Sequence, residues 1–337
     1  MSRPTARTHS AVACLIVLTA CSTGNSDAAP VAGAPTGPSA PAAPAMVVAA
    51  PNPEIDTFVR GAKQLFVGAG DIAMCDSQGD ELTAALLDRY VALNPATQVF
   101  TLGDNAYGAG TVTEYRECYG PTWGRFKDRT FPVIGNHDAR TDRGHPYHDF
   151  FGPRAGAWGQ SFVAVDLGAW RIIGLNSNCD QVDCSAEGDQ ARFLTAELEA
   201  REGKGADLAT RTACTAVLWH APIFSSGPHG DAVSMQALWR IVATHDVEMV
   251  LSGHDHIYER FAPADVSGKS SANGVLTVVA GTGGADPYPL QETRPGSIIH
   301  FTGKPGVLAL DLRPDGYQGR FAAVTGETLD RFEGRCR

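Results

Sequence analysis

Five short motifs stand in order along this chain, and each places oxygen or imidazole donors directly after an apolar run. They are Gly70-Asp71, Gly103-Asp104-Asn105-Ala106-Tyr107, Gly135-Asn136-His137-Asp138, His220 and Gly253-His254-Asp255-His256. Carboxylate, amide, imidazole and phenol donors are what a pair of small, hard or borderline cations takes. Singly, most of these motifs are weak. A lone Gly-Asp after a strand usually caps a helix or turn, Asn136 alone reads as a turn residue, and His220 alone as a satisfied core histidine. Gly253-His254-Asp255-His256 is stronger, because two histidines at i and i+2 in one turn can face two adjacent ions, with Asp255 left to orient a neighbour. In series, every donor group can converge on one edge, and the chemistry such a set could do is hydrolysis at phosphorus by two metals.

For the donors to converge, the segments before them must be strands of a common layer. Residues 64–69, 98–102 and 131–134 read as strands running into Asp71, Asp104 and Asn136, with helical periodicity over 81–93. Strands alternating with helices imply parallel pairing through crossover helices. Residues just past the carboxyl ends of such strands stand where open α/β sheets put their sites. Segments 161–166 and 171–176 predict a β-hairpin turning at Gly168. Segments 187–201 and 235–245 predict helices, and 213–219 and 247–251 predict strands running into His220 and His254. Further strands follow at 275–280, 307–312 and 320–324 with little helix between them. The sum is an α/β fold in which two packed mixed β-sheets are flanked by helices, an α/β/β/α sandwich.

With 43% hydrophobic and 19% charged residues, the 337-residue chain falls among soluble globular proteins. A net charge of -10 argues against non-specific binding of nucleic acid or anionic lipid. It leaves room for a phosphorylated substrate, since metals can supply positive charge locally.

The N-terminus reads as an export signal. Arg3 and Arg7 precede a short apolar stretch, and Leu18-Thr19-Ala20-Cys21 resembles a bacterial lipobox that would make Cys21 the lipidated first residue. An ordinary secretory signal cut nearby is the alternative, and both export the protein. Cleavage before Cys21 leaves 25 basic against 37 acidic residues, a mature charge of -12. Residues 22–56, rich in Ala and Pro, read as an extended tether, with the folded domain spanning 57–337. The membrane is then touched only through the lipid anchor, and a monomer is expected. Six cysteines remain: Cys75, Cys118, Cys179, Cys184, Cys214 and Cys336. They allow 15 disulfide connectivities in an oxidising compartment. Cys179 and Cys184 could clip one loop, Cys336 could tie down the tail with Cys214 as one candidate partner, and a free buried thiol is the alternative at each.

The motifs together resemble the calcineurin-like metallophosphoesterase superfamily over about residues 64–285. More narrowly, Gly103-Asp104-x-x-Tyr107 is similar to the signature of the purple acid phosphatase branch, and the Gly103 to Gly110 spacing is similar to that of its small tartrate-resistant type. One position departs: Ala73 stands where that branch has Gly and other members have a ligating His, so Tyr107 would be the replacement ligand. The resemblance implies one site of Asp71, Asp104, Tyr107 and His256. It implies a second of Asp104, Asn136, His220 and His254, with Asp104 bridging. Phenolate and carboxylate would suit Fe(III) in the first site, while two imidazoles and an amide would suit Fe(II), Zn or Mn in the second. A hydroxide shared by the two ions would attack phosphorus in line. His137 would pass a proton to the leaving oxygen, with Asp138 either orienting its ring or capping the turn. Asn105 and His229 would contact substrate, and Tyr107 as ordinary packing is the alternative.

The function that follows is that of an exported phosphohydrolase releasing phosphate from small monoesters. A phosphodiesterase acting on cyclic nucleotides, phospholipids or cell-wall polymers would use the same metals, with pocket shape deciding. A non-catalytic surface binding module would keep the fold and lose ligands. Residues 139–154, 179–187 and 225–230 are expected to line the pocket. Arg140, Arg143, His145 and His148 there could contact a second phosphate group or face solvent. Gly281 to Gly284 lacks the Lys-Ser/Thr of a nucleotide P-loop and reads as a turn near the site.

Overall fold

The computed structural model describes residues 52–201 and 214–337. The expected signal over 1–21 with its lipidated Cys21, and nearly all of the expected tether, lie outside the described residues. Among the described residues no helix is long and apolar enough to cross a membrane.

Chain order begins with α1 (Pro53–Gly61), β1 (Leu65–Ala69), α2 (Gly79–Leu93), β2 (Gln98–Thr101), the single turn α3 (Val112–Glu114), β3 (Thr130–Phe131) and α4 (His145–Phe151). There follow β4 (Val163–Leu167), β5 (Trp170–Gly174), α5 (Asp189–Arg201), β6 (Cys214–Leu218), α6 (Gln236–Thr244) and β7 (Met249–Ser252). The chain closes with β8 (Tyr258–Phe261), β9 (Leu276–Ala280), β10 (Ser297–Phe301), β11 (Gly306–Arg313), β12 (Gly316–Ala323) and β13 (Thr328–Arg335). One sheet runs β13-β12-β11-β1-β2-β3 and the other β10-β8-β9-β7-β6-β5-β4. Among the named strands, parallel pairing joins β1-β2-β3 and β5-β6-β7-β9. The carboxyl ends of these parallel strands feed the motif loops.

Period-2 alternation sorts each strand between two layers. Phe66, Phe100, Leu218 and Leu251 point between the sheets, where Trp170, Leu308 and Leu310 join them. Val67 and Val99 point the other way, under Ile55, Leu87 and Tyr90 of α1 and α2. Val217 and Val250 likewise meet Leu194, Leu198, Leu238 and Trp239 of α5 and α6. Both faces are buried, so these strands read as near-continuous apolar runs. The hairpin β4-β5 pairs Leu167 with Trp170, and Gly168 at φ +60° supplies the left-handed residue such a two-residue turn needs.

The domain starts earlier than the sequence suggested. Asn52 caps α1 by accepting from the Glu54 and Ile55 N–H groups, Pro53 opens the helix, and Ile55 and Val59 are buried. Residues 53–56 are therefore helix rather than tether. The third strand is also shorter than expected, at two residues. Three disulfides close the chain: Cys75–Cys118, Cys179–Cys184 and Cys214–Cys336. Disulfides on this scale fit an oxidising compartment.

Asp80, in the first turn of α2, sets a pH dependence. Its Oδ2 accepts from Thr122 Oγ1 at 2.7 Å, while Oδ1 finds no hydrogen-bond donor among the described residues. Burial raises its carboxyl to about 7, against the smaller opposing effect of the Thr122 bond. A folded-state value above the free-chain value means stability is full below about pH 4 and is lost as pH rises through about 7. Asp80→Asn is expected to raise the melting temperature by about 5 °C at pH 8 and to gain little at pH 4. Thermal denaturation of both proteins at the two pH values checks this, and equal shifts at both would contradict it.

Candidate metal centre

Each donor is delivered by backbone that leaves its strand in an unusual conformation. Asp71, Asp104 and His254 have φ of 61°, 51° and 72°, the left-handed region that costs a non-glycine residue energy and clusters at functional sites. Gly103 precedes Asp104 at φ +87°, and a Cβ there would lie 2.5 Å from Nδ1 of His220. The glycine is thus needed for both conformation and space.

Four donors meet at Tyr107. Its Oη lies 2.8 Å from Asp71 Oδ1, 3.1 Å from Asp104 Oδ2 and 2.9 Å from His256 Nε2. Nδ1 of His256 donates to the Asp286 carbonyl at 2.6 Å, and although burial pushes this ring down, the Asp71 carboxylate outweighs it and raises it. One phenol proton therefore faces two carboxylate oxygens. Burial, Asp104 and Asp71 push the phenol well above its usual range. A cation suits this surplus of lone pairs.

The second group sits on the other side of Asp104. His220 Nδ1 donates to the Leu102 carbonyl at 2.7 Å, which turns Nε2 toward Asn136 Oδ1 at 3.0 Å, Asp104 Oδ2 at 3.3 Å and His254 Nδ1 at 3.2 Å. The donor atoms of Asp104, His220 and His254 lie within 4.8 Å of one another. Burial alone would push His220 down, but the adjacent Asp104 carboxylate outweighs it and lifts the ring to about 9. A proton there stands in for positive charge that the donors call for. Burial, then His220 and His229, push His254 down to about 4, leaving it a neutral donor. The residues fit two cations sharing Asp104.

Around these donors the structure redistributes several expected roles. His137 Nδ1 donates to the Gly108 carbonyl at 2.7 Å, leaving Nε2 3.9 Å from Asp104 Oδ2 at the open edge. Asp138 does not orient that ring. It is fully buried and accepts from the N–H groups of Asn105, Ala106 and Gly135, from Asn105 Nδ2 and, at 2.6 Å, from Tyr115 Oη. Asp138 is therefore a brace between two ligand loops. Asn105 is not a substrate contact in this geometry, because its buried amide donates to Asp138 and to the Val133 carbonyl.

His229 stands at the rim. Its Nδ1 lies 2.9 Å from Asp255 Oδ1 and its ring centroid 4.2 Å from that of His254. Asp255 is buried and also accepts from Ser225 Oγ, so it orients a neighbour as its place in the motif suggested. Of the four basic residues after Asp138, Arg140 alone shares the Gly108 carbonyl with His137, at 3.1 Å. Arg143 goes to the Gln181 carbonyl, His145 to Asp149 and His148 to Ser161. The Gly281 to Gly284 segment is a brace: the Gly283 N–H donates to the Gly70 carbonyl and Thr282 Oγ1 to that of Gly306. A cleft of about 470 Å³ opens beside Asn136, His220 and His254, walled by Ser177, Asn178 and Asp180. Tyr288 was not anticipated. Its ring stacks on His256 at 3.8 Å and 10°. Pro287 and Pro289 beside it mark a turn but say nothing of the contact.

The calcineurin-like phosphoesterase family profile matches residues 65–258, more than half of the chain. Purple acid phosphatase 22 of Arabidopsis thaliana is 30% identical over 152 residues, which cover 41% of this chain and 33% of that protein. The chain thus matches about a third of the length of this curated relative. Purple acid phosphatase PPD1 from yellow lupin (Lupinus luteus) seeds superposes with a TM-score of 0.65 at 18% identity, over 80% of this chain and 53% of that one. GAP50, the anchor in the inner membrane complex of Plasmodium, superposes with a TM-score of 0.60 at 16% identity, over 82% and 90%. The two structures share the two-sheet α/β architecture with this chain.

Proposed function

The chain belongs to the calcineurin-like phosphoesterase family, and from that premise we propose that it is a metal-dependent hydrolase of small phosphate monoesters. The observation that carries this is the pair of donor groups sharing Asp104, in which Asp71, Asp104, Tyr107, His220 and His256 are buried and Asn136 and His254 half-buried, with more lone pairs than protons. Asp71, Asp104, Tyr107 and His256 would hold one ion and Asp104, Asn136, His220 and His254 the other. When bound, two such ions supply an acidified water and neutralise phosphoryl oxygens. Phenolate beside carboxylate favours a ferric ion at Tyr107, and the imidazole-rich group favours Fe(II), Zn or Mn.

The protein's own residues do the rest. The Gly108 carbonyl holds His137 with Nε2 toward the open edge, where it can keep a proton for the leaving oxygen. His229, fixed by Asp255, and the Arg140 guanidinium, fixed by Gly108, place hydrogen-bond donors at the mouth for the remaining phosphate oxygens. Tyr288 limits the room beside His256, which favours a terminal phosphate over one esterified on both sides.

The test compares nitrophenyl phosphate with bis-nitrophenyl phosphate, using chelator-dialysed protein as the blank and metal analysis of the active sample. Monoester turnover at least about tenfold above diester, lost on chelation and restored by metal, is expected. Diester turnover above monoester would make the protein a phosphodiesterase. Full activity without iron would overturn the ferric assignment alone.

A further inference from the structure

A cavity of about 730 Å³ opens at the far end of the strands from the metal centre. It begins at Gln98 and Val99, where β2 starts, whereas Asp104 lies past the end of that strand. The volume is within the range of about 300–1,000 Å³ typical of small-molecule sites. Its origin is a mismatch of sheet edges. The first sheet ends in the two residues of β3, while the second ends in the five of β4. Among the described residues no strand therefore covers the inward face of β4 along its whole length. Val163 and Leu167 on that face pack only partly on the core between the sheets, and Val165 between them is 40% exposed. The floor is formed by Phe66, Phe131 and Ile172 of the same core.

Three cations, Lys127, Arg129 and Arg154, and three acids, Asp128, Asp149 and Asp166, line the cavity. Arg129 donates to the Pro95 and Thr97 carbonyls at 2.9 and 3.0 Å, and Arg154 to the Thr130 and Asp128 carbonyls. Lys127 lies 5.3 Å over the Phe150 ring. Among the described residues none of these three cations pairs with a carboxylate. Of the three acids that line the cavity, Asp166 turns to Arg171 at 2.8 Å and Asp149 to His145 at 3.1 Å, leaving Asp128. Two guanidinium groups are thus fixed in place by main-chain oxygens with donors to spare, at the rim of an apolar slot.

We propose that this cavity binds a single-chain anionic amphiphile, its acyl chain lying between the sheets against Phe66, Phe131 and Val165 and its carboxylate or phosphate head at Arg154, Arg129 and Lys127. The apolar floor gains by excluding water, and the forked donors select an anionic head over a neutral or cationic one.

The test is titration calorimetry of the full protein with dodecyl phosphate, dodecanoate and dodecyltrimethylammonium below their micelle concentrations. Saturable binding of either anion is expected, at least about tenfold tighter than the cation. The tighter of the two anions identifies the head group. Val165→Trp, which fills the slot from a half-exposed position, should weaken all binding at least about tenfold. Arg154→Gln should weaken the anions and leave the cation unchanged. Both variants should hydrolyse nitrophenyl phosphate as the parent does, since neither touches the metal centre. Equal binding of anion and cation, or binding that survives Val165→Trp, would overturn the proposal. So would sedimentation showing a dimer that Val165→Trp dissociates, because a second copy would then be the occupant.

Discussion

Asp104→Asn is expected to lower kcat/KM for nitrophenyl phosphate by about a thousandfold or more, which is about 4 kcal/mol of transition-state stabilisation. The substitution keeps the volume and the acceptor for the His137 N–H, now 2.7 Å from Oδ1. What it removes is charge at Oδ2, the atom within 3.3 Å of both Tyr107 Oη and His220 Nε2. Both donor groups lose their only shared carboxylate. Metal analysis should accordingly show fewer than two ions per chain. In the metal-free protein the substitution also takes away the carboxylate that lifts the His220 ring, so His220 should lose its proton more readily. An Asp104→Asn protein that keeps two ions and a tenth of the activity would refute the shared-ligand reading.

Replacing both Cys214 and Cys336 by serine is expected to be the most destabilising of the three disulfide removals. This bond spans 122 residues of sequence, against 43 for Cys75–Cys118 and 5 for Cys179–Cys184. Loop-closure entropy then gives about 5, 4 and 2 kcal/mol in that order. Packing reinforces the ranking. Cys214 is fully buried at the start of β6, and Cys336 packs on the same inter-sheet core, so the pair also anchors the end of β13. Urea denaturation of the three double variants checks the order. A Cys214/Cys336 variant no less stable than the Cys179/Cys184 one would contradict it.

Much of the fold could be read because its central strands are buried on both faces. Val67 serves one layer and Phe66 the other, so β1 reads as a plain apolar run ending in a ligand. Of the strands that escaped reading, β10 and β13 are edge strands, while β8 lies inside its sheet between β10 and β9. In β13, Asp330, Arg331 and Glu333 interrupt the run, since an edge strand meets solvent and salt bridges. The site divides similarly. The seven donor residues follow from motif spacing, whereas the partners that aim them are tertiary. A Gly108 carbonyl holding His137 and a Tyr288 ring on His256 leave no local trace. Asp138 and Asn105 were misread for the same reason: adjacency in sequence to a ligand gives no direction to a side chain, and both turn inward to each other.

The brace at Asp138 has a consequence for how ions would be taken up. One buried carboxylate gathers donors from the Asp104 loop, the Gly135 turn and Tyr115, so the two loops form one body before any ion arrives. Loading then need not wait on chain ordering, and stripping need not unfold the domain. Exchange of one ion for another should proceed at the pace of ligand substitution in a finished socket, making the occupant a matter of supply in the surroundings rather than of events during folding.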